Sequence, residues 1–159
     1  MSRISPNKIT ISLCLCMLIS FFNSIQSVYA SDTSVGQKVK THLIQIRVDN
    51  QVVIGKLDDT ETVRDFITLL PITVELADYA ATEKITYLPR KLLTRNTPEG
   101  ITPEIGDIAY YAPWGNIAIF YQRFHYSSGL IRLGKITQGI EHLKFKSAKQ
   151  VTIVLFQEN

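Results

Sequence analysis

Past residue 16 the chain contains no cysteine, because both of its cysteines, Cys14 and Cys16, stand near the N-terminus. The remainder therefore offers no disulfide, no thiol nucleophile and no cysteine-ligated metal. The eight glycines are scattered. None forms a GxGxxG or Walker-type run, which disfavours nucleotide binding. The histidines, His42, His125 and His142, are far apart, and no pair has ligand spacing on one helix face. No metal and no cofactor is expected. A dense basic run is also missing. Lys144, Lys146 and Lys149 read as a solvated face, so no nucleic-acid partner is expected.

The N-terminus has its own character. Arg3 and Lys8 precede the apolar run Ile9–Ile19, which continues through Phe21-Phe22. This run is too short to cross a bilayer comfortably, since a spanning helix needs ~20 apolar residues. Val28 and Ala30 sit two apart, the small-residue spacing that signal peptidase reads. Leu13 and Leu15, which precede the two cysteines, are too large for a lipoprotein signal. Residues 1–30 are thus expected to be a cleaved signal peptide, the competing reading being a retained N-terminal anchor. Without Arg3 and Lys8, fifteen basic residues face fourteen acidic ones, and the net charge falls from +3 to near +1. An exported protein, periplasmic or secreted, with no membrane attachment after cleavage is expected.

Residues 31–40 read as a flexible leader and residues 41–159 as one domain. With 45% hydrophobic and 19% charged residues, the chain can bury a core without covalent staples. His42–Val48 alternates, Asp49-Asn50-Gln51 turns, and Val52–Leu57 returns. Thr62-x-x-Asp65 has the form of a capping box, followed by Val63, Phe66, Ile67 and Leu70 on one helical stripe. Pro71 ends that helix. Ile72, Val74 and Leu76 alternate again, and Lys84–Leu88 reads as a short extended piece. Thr97–Pro103 is a turn region. Ile108–Ala112 and Ile117–Gln122 flank Pro113-Trp114-Gly115-Asn116, a tight bend carrying the only tryptophan. Ser127-Ser128-Gly129 turns into the strand Leu130–Ile136, and Ile136, Ile140 and Leu143 fit a second short helix. Val151–Phe156 closes the chain and, like Ile117–Gln122, is apolar on both faces. That pattern suits a strand inside a barrel or under a covering helix. Seven or eight close-spaced strands without a βαβ rhythm predict a mainly β fold. We expect a closed antiparallel barrel of about eight strands with two short helices.

Three blocks carry a family resemblance. They are Asp78-Tyr79-Ala80-x-Thr82-Glu83-Lys84-Ile85-x-Tyr87-Leu88-Pro89, Gly106-Asp107-Ile108-x-Tyr110-Tyr111-Ala112-Pro113-Trp114-Gly115-Asn116, and Gly129-Leu130-Ile131-Arg132-Leu133-Gly134. Together they resemble a family of small bacterial cyclophilin-like domains over roughly residues 41–157. The resemblance implies a cyclophilin-like barrel whose biochemical role is largely undefined. It does not imply isomerase activity, because fold and function separate. True prolyl isomerases carry Phe-His-Arg followed by Phe and Gln. This chain has Arg123-Phe124-His125-Tyr126-Ser127, and no position matches the catalytic arginine.

Among individual residues, Arg132 lies on a strand rich in apolar neighbours and so needs a partner. It could meet a ligand carboxylate or carbonyl, or form a structural ion pair with Glu83 or Asp107. Trp114, Tyr111 and Tyr126 could line a shallow groove, although Trp114 could equally plug the barrel end. Asn116 reads as a turn residue. His125 could move a proton and Glu83 could act as a carboxylate, but neither has an evident partner. No catalytic residue is therefore assigned. The expected activity is binding of a small molecule or extended peptide near Tyr87, Arg90, Tyr111, Trp114, Tyr126 and Arg132. A divergent prolyl isomerase and an interaction module for an envelope protein are the alternatives. The oligomeric state is left open. N-terminal sequencing of exported protein should begin at Ser31, and a sequence beginning at Met1 would overturn the cleaved signal.

Overall fold

A computed structural model describes residues 41–156. The expected signal and leader lie outside the described residues. Ten strands form in chain order: β1 (His42–Val48), β2 (Gln51–Leu57), β3 (Ile72–Tyr79), β4 (Glu83–Tyr87), β5 (Gly100–Ile101), β6 (Asp107–Tyr111), β7 (Asn116–Phe120), β8 (Ser127–Ser128), β9 (Leu130–Gln138) and β10 (Lys149–Phe156). One helix, α1 (Glu61–Ile67), follows β2, and a single 3-10 turn, Ile140–Leu143, follows β9. Eight strands close into a barrel in the order β1-β10-β3-β4-β7-β6-β9-β2, while β5 and β8 pair separately. Every pairing is antiparallel. Closure leaves the barrel no open sheet edge.

The expected barrel is present, and alternation along each strand explains its core. Ile44, Ile46 and Val48 of β1 point inward with Val53 and Leu57 of β2, Ile108 and Tyr110 of β6, and Ile117 and Ile119 of β7. Val63 and Phe66 of α1 join this cluster, as does Leu143 of the 3-10 turn. Burying each such side chain contributes roughly 1.5–3 kcal/mol.

Several local expectations shift. The cap of α1 is Thr60, whose hydroxyl accepts from the Val63 amide at 3.2 Å. Thr62, the expected cap, lies inside the first turn and is fully buried. Asp65 is turned outward onto the loop after β4. There it receives two bonds from the Arg90 guanidinium, at 2.7 and 2.8 Å, and one from the Leu93 amide at 2.8 Å. Ser127-Ser128 is a short strand, and the turn proper falls on Gly129, whose φ is +78°. Strand β7 is apolar on both faces because the β5–β8 ribbon, not a helix, covers its outside. Ile101 of that ribbon packs on Ala109, Ala118, Phe120 and Leu130. On strand β10 Val151 and Ile153 enter the core, Val154 and Phe156 on the opposite face are half-buried, and Leu155, paired with Ile44, is exposed.

The β3–β4 hairpin places a charge inside the barrel. Its pairing sets Asp78 opposite Lys84 and Tyr79 opposite Glu83. Alternation then turns the first pair inward and the second outward. Lys84 is fully buried. Its ammonium bonds the Asp78 carboxylate at 2.6 Å and the Phe145 carbonyl, and sits 4.1 Å from the Phe145 ring centre. The Tyr121 hydroxyl donates to the same Asp78 oxygen at 2.6 Å.

Lys84, ahead of Tyr121, lowers the Asp78 carboxyl below its ordinary 3.8. The stability this gives is complete above that value and is lost as pH falls through the lowered folded value. Burial and the Asp78 hydrogen bond push the Tyr121 phenol up to about 12, so it remains a donor. Removing one partner strands the other. Asp78→Ala should cost about 3–5 kcal/mol, a melting-temperature loss of about 10 °C or more. Adding Lys84→Met should recover most of it, because no unpaired charge then stays buried. Thermal melts of the single and double variants check this.

Candidate functional site

The outer face of β4, β7, β6 and β9 carries a cavity of about 260 Å³. That is slightly below the ~300–1,000 Å³ usual for ligand sites. Strand β7 presents Asn116, Ala118 and Phe120 outward, and the small Ala118 leaves the depression between its larger neighbours. Tyr111 of β6 and Leu130 of β9 border one side, and Tyr79 of β3 and Glu83 of β4 the other. Phe124, His125 and Ser127 close the remaining rim from the segment that follows β7.

Trp114 reaches this cavity from the β6–β7 turn. The Gly115 amide bonds the Tyr111 carbonyl at 2.8 Å, closing the four residues Ala112–Gly115. Gly115 has φ +78°, a region that suits glycine. The Ala112 amide bonds the Gly129 carbonyl at 2.9 Å, and a side chain at Gly129 would meet Pro113 at 2.9 Å. So anchored, the indole lies edge-on to Tyr79 at 5.7 Å and to Tyr111 at 5.4 Å. Such pairs are each worth ~0.5–1.5 kcal/mol beyond burial. Trp114 remains 47% exposed and stands outside the barrel, as a cavity wall and not as a plug.

Two polar groups in the cavity, the Glu83 carboxyl and Asn116 Oδ1, have no hydrogen-bond partner among the described residues. Burial pushes the Glu83 carboxyl from 4.5 up to about 7. Asn116 is not a turn residue. It is the first residue of β7 and is buried. Its side-chain amide nitrogen bonds the Ile117 carbonyl at 3.2 Å, while its Oδ1 has no hydrogen-bond partner among the described residues.

Of the six residues expected at the site, Tyr111 and Trp114 meet in this cavity. Tyr87 lies on the same outer face, opposite Asn116 across the β4–β7 pairing, but lines a neighbouring depression. Tyr126 is exposed between two lining residues. Arg90 is engaged by Asp65 and by the Thr68 hydroxyl at 2.9 Å. Arg132 is near Asp58 at 3.7 Å and Asp107 at 4.0 Å, an ion-pair arrangement without Glu83. Tyr79, Glu83, Asn116, Phe120 and Phe124 were not among the expected site residues. The available signal was alternation: Asn116, Ala118 and Phe120 fall on one face of a strand whose other face is core.

The Glu83 environment has a pH consequence. Its folded value exceeds the unfolded one, so folding favours the protonated carboxyl. Stability from this group is complete below about pH 4.5, falls as pH rises toward about 7, and is level above it. Glu83→Gln should remove this slope and melt higher than the parent at about pH 8, with little difference in acid. Parallel melts across pH check it.

The sequence model described as the cyclophilin-like family matches residues 46–154. The solution structure of a hypothetical protein from Archaeoglobus fulgidus is similar, with a TM-score of 0.56 and 19% identity over 75% of this chain and 98% of that one. At that identity the likeness concerns the fold alone. No curated protein matches the sequence. The barrel and the span of the match agree, and the chain belongs to the cyclophilin-like family.

Proposed function

We propose that this domain binds a small molecule or an extended peptide segment in the cavity beneath Trp114, as an exported protein. The observation that carries this reading is the half-exposed indole over a largely apolar cavity. Tyr79, Tyr87, Phe124 and Tyr126 are also exposed on or beside it. A cluster of exposed aromatics is unfavourable to leave in water and typically marks a binding surface. The rings are preset by the turn and by their edge-on contacts, so a ligand need order little of the wall. Export rests on the character of residues 1–30 and on the cysteine-free domain behind them.

Binding can be read directly, because Trp114 is the only tryptophan. Titration with proline-containing peptides and a metabolite library should shift its emission for at least one class. Ala118→Leu, which fills the cavity floor, should weaken that ligand about tenfold or more, equivalent to ~1.4 kcal/mol. Arg132→Ala, outside the cavity lining, should leave the affinity unchanged. An emission that no ligand moves would sink the reading. So would protein-dependent acceleration of X-Pro exchange beyond its uncatalysed tens of seconds, which would replace binding with catalysis.

A further inference from the structure

Glu83 brings a carboxylate into a cavity that supplies it with no counter-charge. No lysine or arginine lines the cavity. The adjacent residue in the chain, Lys84, points to the opposite face of the sheet and is taken by Asp78 and the Phe145 carbonyl. Arg132 and Arg90 are held by other carboxylates. The remaining titratable groups of the lining are Tyr79, Tyr111 and His125. None of the three has a hydrogen bond to Glu83 among the described residues. His125 is instead stacked on Phe124, with ring centres 3.8 Å apart. The second unmet polar atom, Asn116 Oδ1, is also an acceptor. The cavity thus combines an unpaired acid, an unpaired acceptor and five aromatic rings besides the His125 imidazole, with no lysine or arginine to answer them.

We infer that the cavity selects a cationic amine carried on an apolar stem, with the Glu83 carboxylate as its counter-charge. The inference rests on the binding reading above and names the chemistry of the ligand. An ammonium group near Glu83 replaces the hydration that burial removes from the carboxylate. The ring faces of Tyr79, Tyr111 and Trp114 would offer a cation the environment that aromatic cages give quaternary or primary amines. The apolar stem lies on Ala118, Phe120 and Leu130, which are buried and form the floor. A carboxylate ligand is opposed by the same charge, and a neutral one leaves it unpaired. Elevation of the Glu83 carboxyl to about 7 fits this environment: the bound cation would bring that value down, coupling binding to proton release.

Hexylamine, hexanol and hexanoate share a stem and differ in head group, so they isolate the charge. Titrated against purified protein at about pH 8 with Trp114 emission as readout, hexylamine should bind at least about tenfold tighter than hexanol. Hexanoate should bind most weakly. Glu83→Gln should erase the preference of amine over alcohol while the alcohol still binds, which shows that the variant is folded. Nα-acetyl-lysine amide, run beside hexylamine, tells a peptide side chain from a free amine. If hexanol equals hexylamine, or if Glu83→Gln keeps the preference, the cation inference is overturned and the cavity reading survives on the alcohol. If none of these probes moves the emission, the amine assignment fails, and the cavity reading is then decided by the library titration alone.

Discussion

A lysine ammonium buried inside the barrel is the constraint on which the rest of this structure depends. An ion of that size taken out of water costs several kcal/mol even after relaxation. Lys84 offsets this with the Asp78 carboxylate, the Phe145 carbonyl and the face of the Phe145 ring. These partners come from β3 and from the segment between the 3-10 turn and β10. The Tyr121 hydroxyl, just past β7, completes the carboxylate's shell. One charge therefore ties the β3–β4 hairpin to two stretches of chain that are distant from it in sequence. It also fixes register. Slipping the β3–β4 pairing by one residue would expose Lys84 outward and drive Glu83 into the core. Neither charge would then have a partner.

Because that register is fixed, the outer face follows from it. Tyr79 and Glu83 are the outward members of the same hairpin whose inward members are Asp78 and Lys84. On β7 the same alternation sends Ile117 and Ile119 into the core and Asn116, Ala118 and Phe120 outward. The β5–β8 ribbon covers part of this outer row, and the Trp114 turn overhangs the rest. The cavity is the space between those two covers, floored by the one small residue in the row. Its position is a by-product of barrel register, while its walls come from loops.

This division explains what the sequence discloses and what it conceals. Strand positions were legible, because period-two alternation in β1, β2, β3 and β10 reports directly on one buried face. The barrel followed from the number and spacing of such strands. The cap of α1 lies two residues before the expected one: Thr62-x-x-Asp65 fits a capping box and Thr60-x-x-Val63 does not, yet Thr60 is the cap. The choice between them depends on Asp65 being drawn away by Arg90, a partner 25 positions along the chain. Site residues were harder. Tyr111 and Trp114 could be placed together because a single turn joins them. Arg90 and Arg132 attract attention as charges among apolar residues, yet each is answered by a carboxylate contributed by another element. Asn116 beside Gly115 resembles a turn residue in any local window, and only the pairing of Tyr111 with Asn116 moves it into the strand.

The two neighbours Glu83 and Lys84 then carry the central contrast of the molecule. They have opposite sign, share a strand and differ in face. The interior charge is met by Asp78, Phe145 and Tyr121; the exterior one, half-buried, has no partner among the described residues. Sequences tend to be consistent at every level except where function asks otherwise. A fold that satisfies its most deeply buried ion so fully leaves the adjacent carboxylate and the Asn116 oxygen unanswered in one cavity. There the missing partners can be supplied from outside. Stability resides in the pair that faces inward, and the proposed binding falls to the residue that the same pair turns outward.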